Sequence, residues 1–283
     1  MACARGVIST VIVDEVTPEP VTLDSMTTTS GGPLLTLEHV SVHFGGLKAL
    51  HDVSFSVDSG EIVGLIGPNG AGKTTAFNVA CGFVRPSSGE VHYPRAGKSN
   101  LKPSQLAKTG IARTLQGVGL FPHCSVLENV MAGAQVEPGG GFFTSLLALP
   151  AGVRSERELR ERAMHMLERL GIAEVAARLP TVIPYGVAKK VSVARALMCD
   201  PQLLLLDEPA SGLDQAELDE FAQLITELRL TMGVLLVEHD MAFVMPLVDR
   251  LVVLNFGEVI ATGTPSEVRA HDAVIAAYLG VDE

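Results

Sequence analysis

Apolar residues change their spacing several times along the chain, and each change marks an expected element. Leu35-Thr-Leu-Glu-His-Val-Ser-Val-His-Phe44 alternates apolar and polar positions, which predicts a half-buried strand beginning just after Leu34. A second strand is expected through Val53–Val57. A third covers Glu61–Ile66, a continuous apolar run broken only by Gly64, as in a strand buried on both faces. Ser155-Glu-Arg-Glu158 has the form of a capping box, and Leu159, Ala163, Leu167 and Leu170 then share one helical face until Gly171. That predicts a helix opening at Ser155 with a charged, solvated outer face. From Pro201 the two periods alternate again: Leu203–Leu206 as strand, a helix near Gln215–Leu230, then strands at Val234–Val237 and Arg250–Leu254. The sum is an α/β core holding a helical insertion at about 117–200, with no internal repeat. Residues 1–32, rich in Thr, Ser, Val and Pro, show no helical period. They read as a disordered leader, or as sequence upstream of a true start at Met26, before a single domain over 33–283.

Composition narrows the function classes. The chain of 283 residues is 47% apolar, enough for a sizeable core, and its net charge is −11. Such an acidic balance argues against sequence-independent nucleic-acid binding, which needs a surplus of Lys and Arg to neutralise phosphates. The most apolar stretches, Val7–Val13 and Phe142–Val153, fall short of the ~20 apolar residues of a spanning helix. Val7–Val13 is also followed by Asp14-Glu15, a poor context for a secretory signal, so the chain is expected to stay in the cytosol. Cys3, Cys81, Cys124 and Cys199 form no CxxC pair and read as reduced thiols. His39 and His43 share a strand face, yet no third ligand lies near in sequence, so they are not read as a metal site.

Two segments carry chemistry. Gly67-Pro68-Asn69-Gly70-Ala71-Gly72-Lys73-Thr74 fits the G-x-x-x-x-G-K-[ST] loop and stands directly between a strand and a helix-like run. Glycines let backbone N–H groups close around phosphate oxygens, and the helix N-terminus adds positive dipole. Lys73 is then expected to reach the β- and γ-phosphates of a nucleotide, and the Thr74 hydroxyl to ligate Mg²⁺. The second segment is Leu203-Leu-Leu-Leu-Asp207-Glu208. Four leucines make a central strand that delivers Asp207 to the sheet's carboxyl edge, where ligands bind in such folds. Asp207 is expected to hold Mg²⁺ and Glu208 to polarise the attacking water.

Gly67–Thr75, with Thr75 included, resembles the Walker A motif of ATP-binding cassette (ABC) ATPases, and Leu203–Pro209 resembles their Walker B. Further matches follow in the family's order. Phe44 occupies the place of the A-loop aromatic that stacks on adenine. Gln116 looks like the Q-loop glutamine that touches Mg²⁺ and senses the membrane subunit. Ser211-Gly-Leu-Asp214 resembles the D-loop, and His239 the switch histidine that meets the γ-phosphate. The signature departs from the family. Ile183-Pro184-Tyr185-Gly186-Val187 stands where a Leu-Ser-Gly-Gly-Gln-like segment opens a helix aimed at ATP on the opposite subunit. Tyr185 and Gly186 keep the helix N-terminus, whereas the serine hydroxyl and glutamine amide are gone.

The resemblance implies a P-loop NTPase core with an N-terminal antiparallel β-subdomain and an inserted helical subdomain. It implies Mg²⁺-dependent ATP hydrolysis by a peripheral subunit on the cytoplasmic face of the membrane, working on transmembrane permease subunits. Phe44–Leu50, Leu120-Phe-Pro, Val126–Val130, Glu238–Met241 and Ala277–Gly280 are similar to the branched-chain amino-acid uptake group. Urea and lipopolysaccharide-transport relatives share several of these features. In that group a solute-binding protein feeds the permease, and the altered signature predicts a second, different ATPase subunit, a homodimer being the alternative. Rival readings are weaker: a GTPase needs an [NT]-K-x-D segment that is absent. A repair or ribosome-associated ABC protein usually carries paired cassettes or basic arms, and a non-hydrolysing regulator would not need Glu208 and His239.

Overall fold

The computed structural model describes residues 32–94, 97–114, 117–134 and 150–279. The expectations for residues 1–31, for 135–149 and for Gln116 therefore lie outside the described residues. Two sheets organise the rest. Strands β1 (Leu35–Phe44), β2 (Leu47–Val57), β4 (Ser88–Tyr93) and β5 (Lys98–Ser99) pair antiparallel in the order β2-β1-β4-β5. Strands β3 (Ile62–Ile66), β6 (Ile111–Arg113), β7 (Leu203–Asp207), β8 (Gly233–Val237), β9 (Arg250–Asn255) and β10 (Glu258–Gly263) form the second, in the order β10-β9-β3-β8-β7-β6. All of its neighbours run parallel except the β9–β10 hairpin.

Strict alternation on the parallel strands explains how one sheet serves two cores. Ile62, Ile66, Leu204, Leu206, Val234, Leu236, Leu251 and Val253 point into a core shared with the helical layer. Their neighbours Val63, Leu65, Leu203, Leu205, Leu235, Val237, Val252 and Leu254 point into the core beneath the antiparallel sheet. Every residue of β3 and β8 is buried, as its unbroken apolar run requires. In β1 the alternation slips at Glu38–His39, where the register with β2 shifts and His39 takes φ +50°. His39 there bonds Asp52 (2.7 Å).

Nine α-helices appear among the described residues: α1 (Lys73–Ala80), α2 (Pro103–Leu106), α3 (Val126–Met131), α4 (Pro150–Arg169), α5 (Tyr185–Leu197), α6 (Gln215–Arg229), α7 (Met241–Val244), α8 (Pro265–Arg269) and α9 (Asp272–Leu279). Helices α3, α4 and α5 pack together between the end of β6 and the start of β7. On α4, Ala163, Leu167 and Leu170 are buried and Leu159 half-buried, as the period predicts, and Gly171 ends it at φ +67°. Its start differs from the expected Ser155: the helix already runs from Pro150, a residue whose fixed φ suits a first helical turn. β2 likewise starts at Leu47 rather than near Val53, because Leu47–Asp52 pairs with the outer part of β1.

Candidate functional site

The parallel sheet brings three chain segments to one edge. β8 lies between β3 and β7, with Leu65 and Asp207 both in register with Val237. The strands therefore finish at one level. The glycine-rich loop leaves β3, the Asp207-Glu208 pair closes β7, and Glu238-His239 follows β8. The ladder continues past the strand ends, since the Glu208 amide donates to the Val237 carbonyl (2.9 Å). This is the carboxyl-edge position expected of ligand sites in such sheets.

Packing dictates the shape of the loop. Gly67 (φ +150°) lies against the Leu254 carbonyl, leaving no room for a Cβ. Gly72 (φ +102°) caps α1, and a Cβ there would come within 2.7 Å of the Ala49 carbonyl. Both positions need glycine for conformation and for space. The cap carries no side-chain hydrogen bond, so the amides of the first turn, unpaired within any helix, are left for an anion. The Gly257 amide also ties the β9–β10 turn to Ala71 (3.0 Å), while His51 of β2 donates to the Gly257 carbonyl (2.8 Å). The antiparallel sheet thus clamps the loop from outside.

Lys73 is buried, and its Nζ donates to the Gly67 and Pro68 carbonyls at 2.6 and 2.9 Å. Burial lowers its pKa below the usual lysine value, while the facing Glu208 opposes that change. Asp207 is half-buried: burial raises its pKa, Arg113 opposes, and Glu208 and Glu238 add to the rise. Glu208 holds φ +47°, a left-handed conformation costing roughly 1–2 kcal/mol in a residue other than glycine. His239 is exposed, with Nδ1 3.9 Å from the Glu208 carboxylate and 3.7 Å from that of Glu238. Thr74 is exposed and Thr75 half-buried on the first turn of α1.

The remaining expected residues fall in two other places. Phe44 ends β1, paired with Leu47, and is 52% exposed, suited to a stacking face rather than a core. Pro184, Tyr185 and Gly186 open α5, where the Ala188 amide donates to the Pro184 carbonyl (3.0 Å) and Pro184 supplies no side-chain cap. This end abuts the Ser211–Asp214 segment: a Cβ at Gly212 would stand 2.9 Å from the Tyr185 ring, and Gly186 lies against the Glu217 carboxylate. Asp214 caps α6, accepting from the Glu217 amide (2.9 Å), so its side chain is engaged in starting that helix.

Four residues at the edge escaped the motif reading. Arg113 lies over the rings of Phe77 (5.3 Å) and Phe83 (4.7 Å) beside Asp207. Tyr278 of α9 lies near the Gly67 backbone, and burial pushes its phenol up to about 12. Glu238 and Lys189 are almost wholly buried. The signals were slight: Glu238 sits beside His239, Arg113 precedes Gln116 by three positions, and Tyr278 belongs to the Ala277–Gly280 ending.

Comparison with known proteins agrees with this geometry. Residues 50–211 match the ABC transporter family, and residues 258–283 match the branched-chain amino acid ATP-binding cassette transporter family. The high-affinity branched-chain amino acid transport ATP-binding protein LivG of Salmonella typhimurium is 42% identical over 250 residues, 88% of this chain and 98% of that protein. BraF of Pseudomonas aeruginosa, with the same description, is 40% identical with the same coverage. The structure of the ADP conformation of MJ1267, an ATP-binding cassette of an ABC transporter, superposes with a TM-score of 0.75 at 31% identity, covering 88% of this chain and 100% of that one. The chain belongs to the ABC transporter family, as one of its nucleotide-binding, ATP-hydrolysing subunits.

Proposed function

We propose that this chain hydrolyses ATP at the edge formed by β3, β8 and β7 and so drives uptake of a branched-chain amino acid through separate transmembrane permease subunits. The supporting observation is convergence: in the register Leu65–Val237–Asp207 the glycine-rich loop, Asp207-Glu208 and His239 follow from neighbouring strand ends, as such a site needs. Lys73 and the first turn of α1 hold the β- and γ-phosphates, and Phe44 stacks on adenine. Glu208 orients the attacking water, and His239, close to it, stabilises charge developing on the γ-phosphate.

The donor set fits Mg²⁺. No cluster of three or more His, Cys, Asp or Glu side chains that could cage a metal occurs among the described residues. The edge instead offers two half-buried carboxylates, Asp207 and Glu208, and one exposed hydroxyl, Thr74; Asp207 and Thr74 make the sparse hard-oxygen set of a cation that arrives with phosphates. Gln116 is assigned to the same ion by its place in the motif order. Mg²⁺ would supply charge neutralisation at the phosphates.

Residues 33–283 act as one ATPase domain whose helical subdomain spans about 117–200. Among the described residues no helix is long and apolar enough to cross a membrane. By its place in a family of transporter subunits, the chain is proposed to work from the cytoplasmic face of the membrane, docked on its permease, with a solute-binding protein delivering cargo on the other side. Tyr185, Gly186 and Asp214 face a second ATPase subunit, and nucleic acid has no role. The branched-chain solute rests on the names of LivG and BraF and on the match over the last 26 residues. The test is leucine uptake by vesicles carrying the full transporter. ATP-driven uptake should vanish with Lys73→Ala, and uptake that persists, or a transporter indifferent to leucine, isoleucine and valine, overturns the assignment.

A further inference from the structure

Behind the proposed catalytic edge lies a buried polar group to which no motif gives a role. Glu238 is 0% exposed, and its two carboxylate oxygens serve different segments. Oε1 accepts from the Ala210 amide (2.6 Å), just beyond the Glu208 turn; Oε2 accepts from the amides of His239 (2.9 Å) and Asp240 (3.4 Å). Lys189 of α5, 5% exposed, reaches the same turn from the other side, donating to the carbonyls of Glu208 (3.0 Å) and Pro209 (2.6 Å). Its ammonium lies 5.4 Å from the Tyr185 ring centre, within the field of Glu238 and Glu208. A buried charge persists only where partners satisfy it, and here those partners belong to the segments carrying the carboxylate, the histidine and the signature helix.

We propose that Glu238 and Lys189 are positioning residues for ATP hydrolysis: they lock the Glu208 turn to the His239 loop and tie both to the N-terminal half of α5. The inference rests on the reading of Glu208 and His239 given above. A carboxylate suits the role because it accepts from three N–H groups and offers no donor. An amide at 238 would turn its NH₂ toward one set of N–H groups, releasing either the β7 turn or the β8 loop. The Lys189 bonds hold the Glu208 main chain in its left-handed conformation, so a displacement of α5 by a neighbouring subunit moves the catalytic carboxylate.

The test uses the full chain with Glu238→Gln, Lys189→Met, Lys189→Arg and, in parallel, Glu208→Gln. Glu238→Gln should lower kcat by roughly 10- to 100-fold, the cost of a misplacement near 1 Å. Its ATP Kd should stay within about twofold of wild type. By hydrogen exchange, segments 207–214 and 238–243 should loosen together in both Glu238→Gln and Lys189→Met, with 67–75 unchanged, while Lys189→Arg retains protection. Wild-type turnover in Glu238→Gln, or a Lys189→Met chain whose 238–243 segment exchanges normally, overturns the brace. So does a loss of kcat that only tracks weaker nucleotide binding and a lower Tm. Should Glu208→Gln itself hydrolyse ATP at the wild-type rate, the reading of the carboxylate falls instead.

Discussion

The carboxyl edge of the six-stranded sheet and the N-terminus of α5 both offer helix-dipole and backbone features suited to phosphate, but they are furnished differently. At the edge, Lys73, Asp207, Glu208 and His239 gather from three strands in register, and the buried groups behind them are bonded. At α5, Pro184 caps without a side-chain bond, and Val187 packs against the helical core. What remains is a backbone end with Tyr185 and Gly186, and the Glu217 carboxylate already lies against Gly186. Backbone geometry can thus be kept while side-chain chemistry is lost, because the helix start depends on φ values that proline satisfies. The edge should have less latitude, since each group there is proposed to carry a task that its neighbours cannot perform.

Removing a group from the edge should therefore have the largest effect. Lys73→Ala is expected to abolish ATP binding, measured by equilibrium titration. Glu208→Gln should keep binding and lose turnover by roughly 10²–10⁴-fold, the usual share of a positioned acid–base group. An equal loss at α5, from Tyr185→Ala or Val187→Ala, would erase the contrast between the two ends.

Much of this contrast is legible in the sequence. The loop at Gly67–Thr74 and the Leu203–Glu208 run combine a strong period with fixed spacing, so element and chemistry announce themselves together. The short strands do not. β6 has three residues, too few for a period, and β4 mixes Ser88, Gly89 and Glu90 into its start. Strand order is also silent in sequence: that β8 separates β3 from β7 emerges only from pairing. Lys189 and Glu238 were invisible for a related reason. A charged residue in a helix or beside a strand ordinarily reads as solvated surface, and only tertiary packing shows these two buried.

The support of the edge can be probed by alkaline pH. Cys81 at the end of α1 and Tyr93 on β4 are buried, and the Tyr93 hydroxyl donates to the Ala80 carbonyl (2.9 Å). Burial pushes the thiol up from 9.0 to about 12, and it pushes the phenol above its ordinary 10.0. Both groups are neutral when protonated, so the folded state keeps protons that the unfolded chain releases. Their stabilising effect is complete below pH 9 and is lost as pH rises from 9 toward 12. Each group should remove ~1.4 kcal/mol per pH unit once the unfolded chain titrates. Urea unfolding at pH 8, 9.5 and 10.5 should show this fall, with a shallower slope in Cys81→Ala. Stability that does not change across that range would mean that the ground behind α1 is wetter than its packing indicates.

The smallest effect sharpens the comparison from the bare side. Pro184→Ser alone should stabilise the chain by ~1 kcal/mol, because a serine N-cap can accept from an amide of the first turn of α5 where proline cannot. It should raise Tm without changing turnover. Adding Val187→Gln costs some packing against the helical core but restores an amide donor at the exposed end. Hydrogen bonds to charged phosphate contribute ~1.5–3 kcal/mol each, so recovering one should tighten ATP-dependent pairing of two copies by roughly ten- to a hundredfold. The measurement is light scattering of the Glu208→Gln chain with ATP, with and without the two signature substitutions. Weak pairing that strengthens on restoration supports a natural partner that is a different ATPase with a fuller signature. If the unrestored Glu208→Gln chain already pairs tightly and gains nothing, backbone and dipole at Gly186 suffice to close the site, and the bare end of α5 is no handicap.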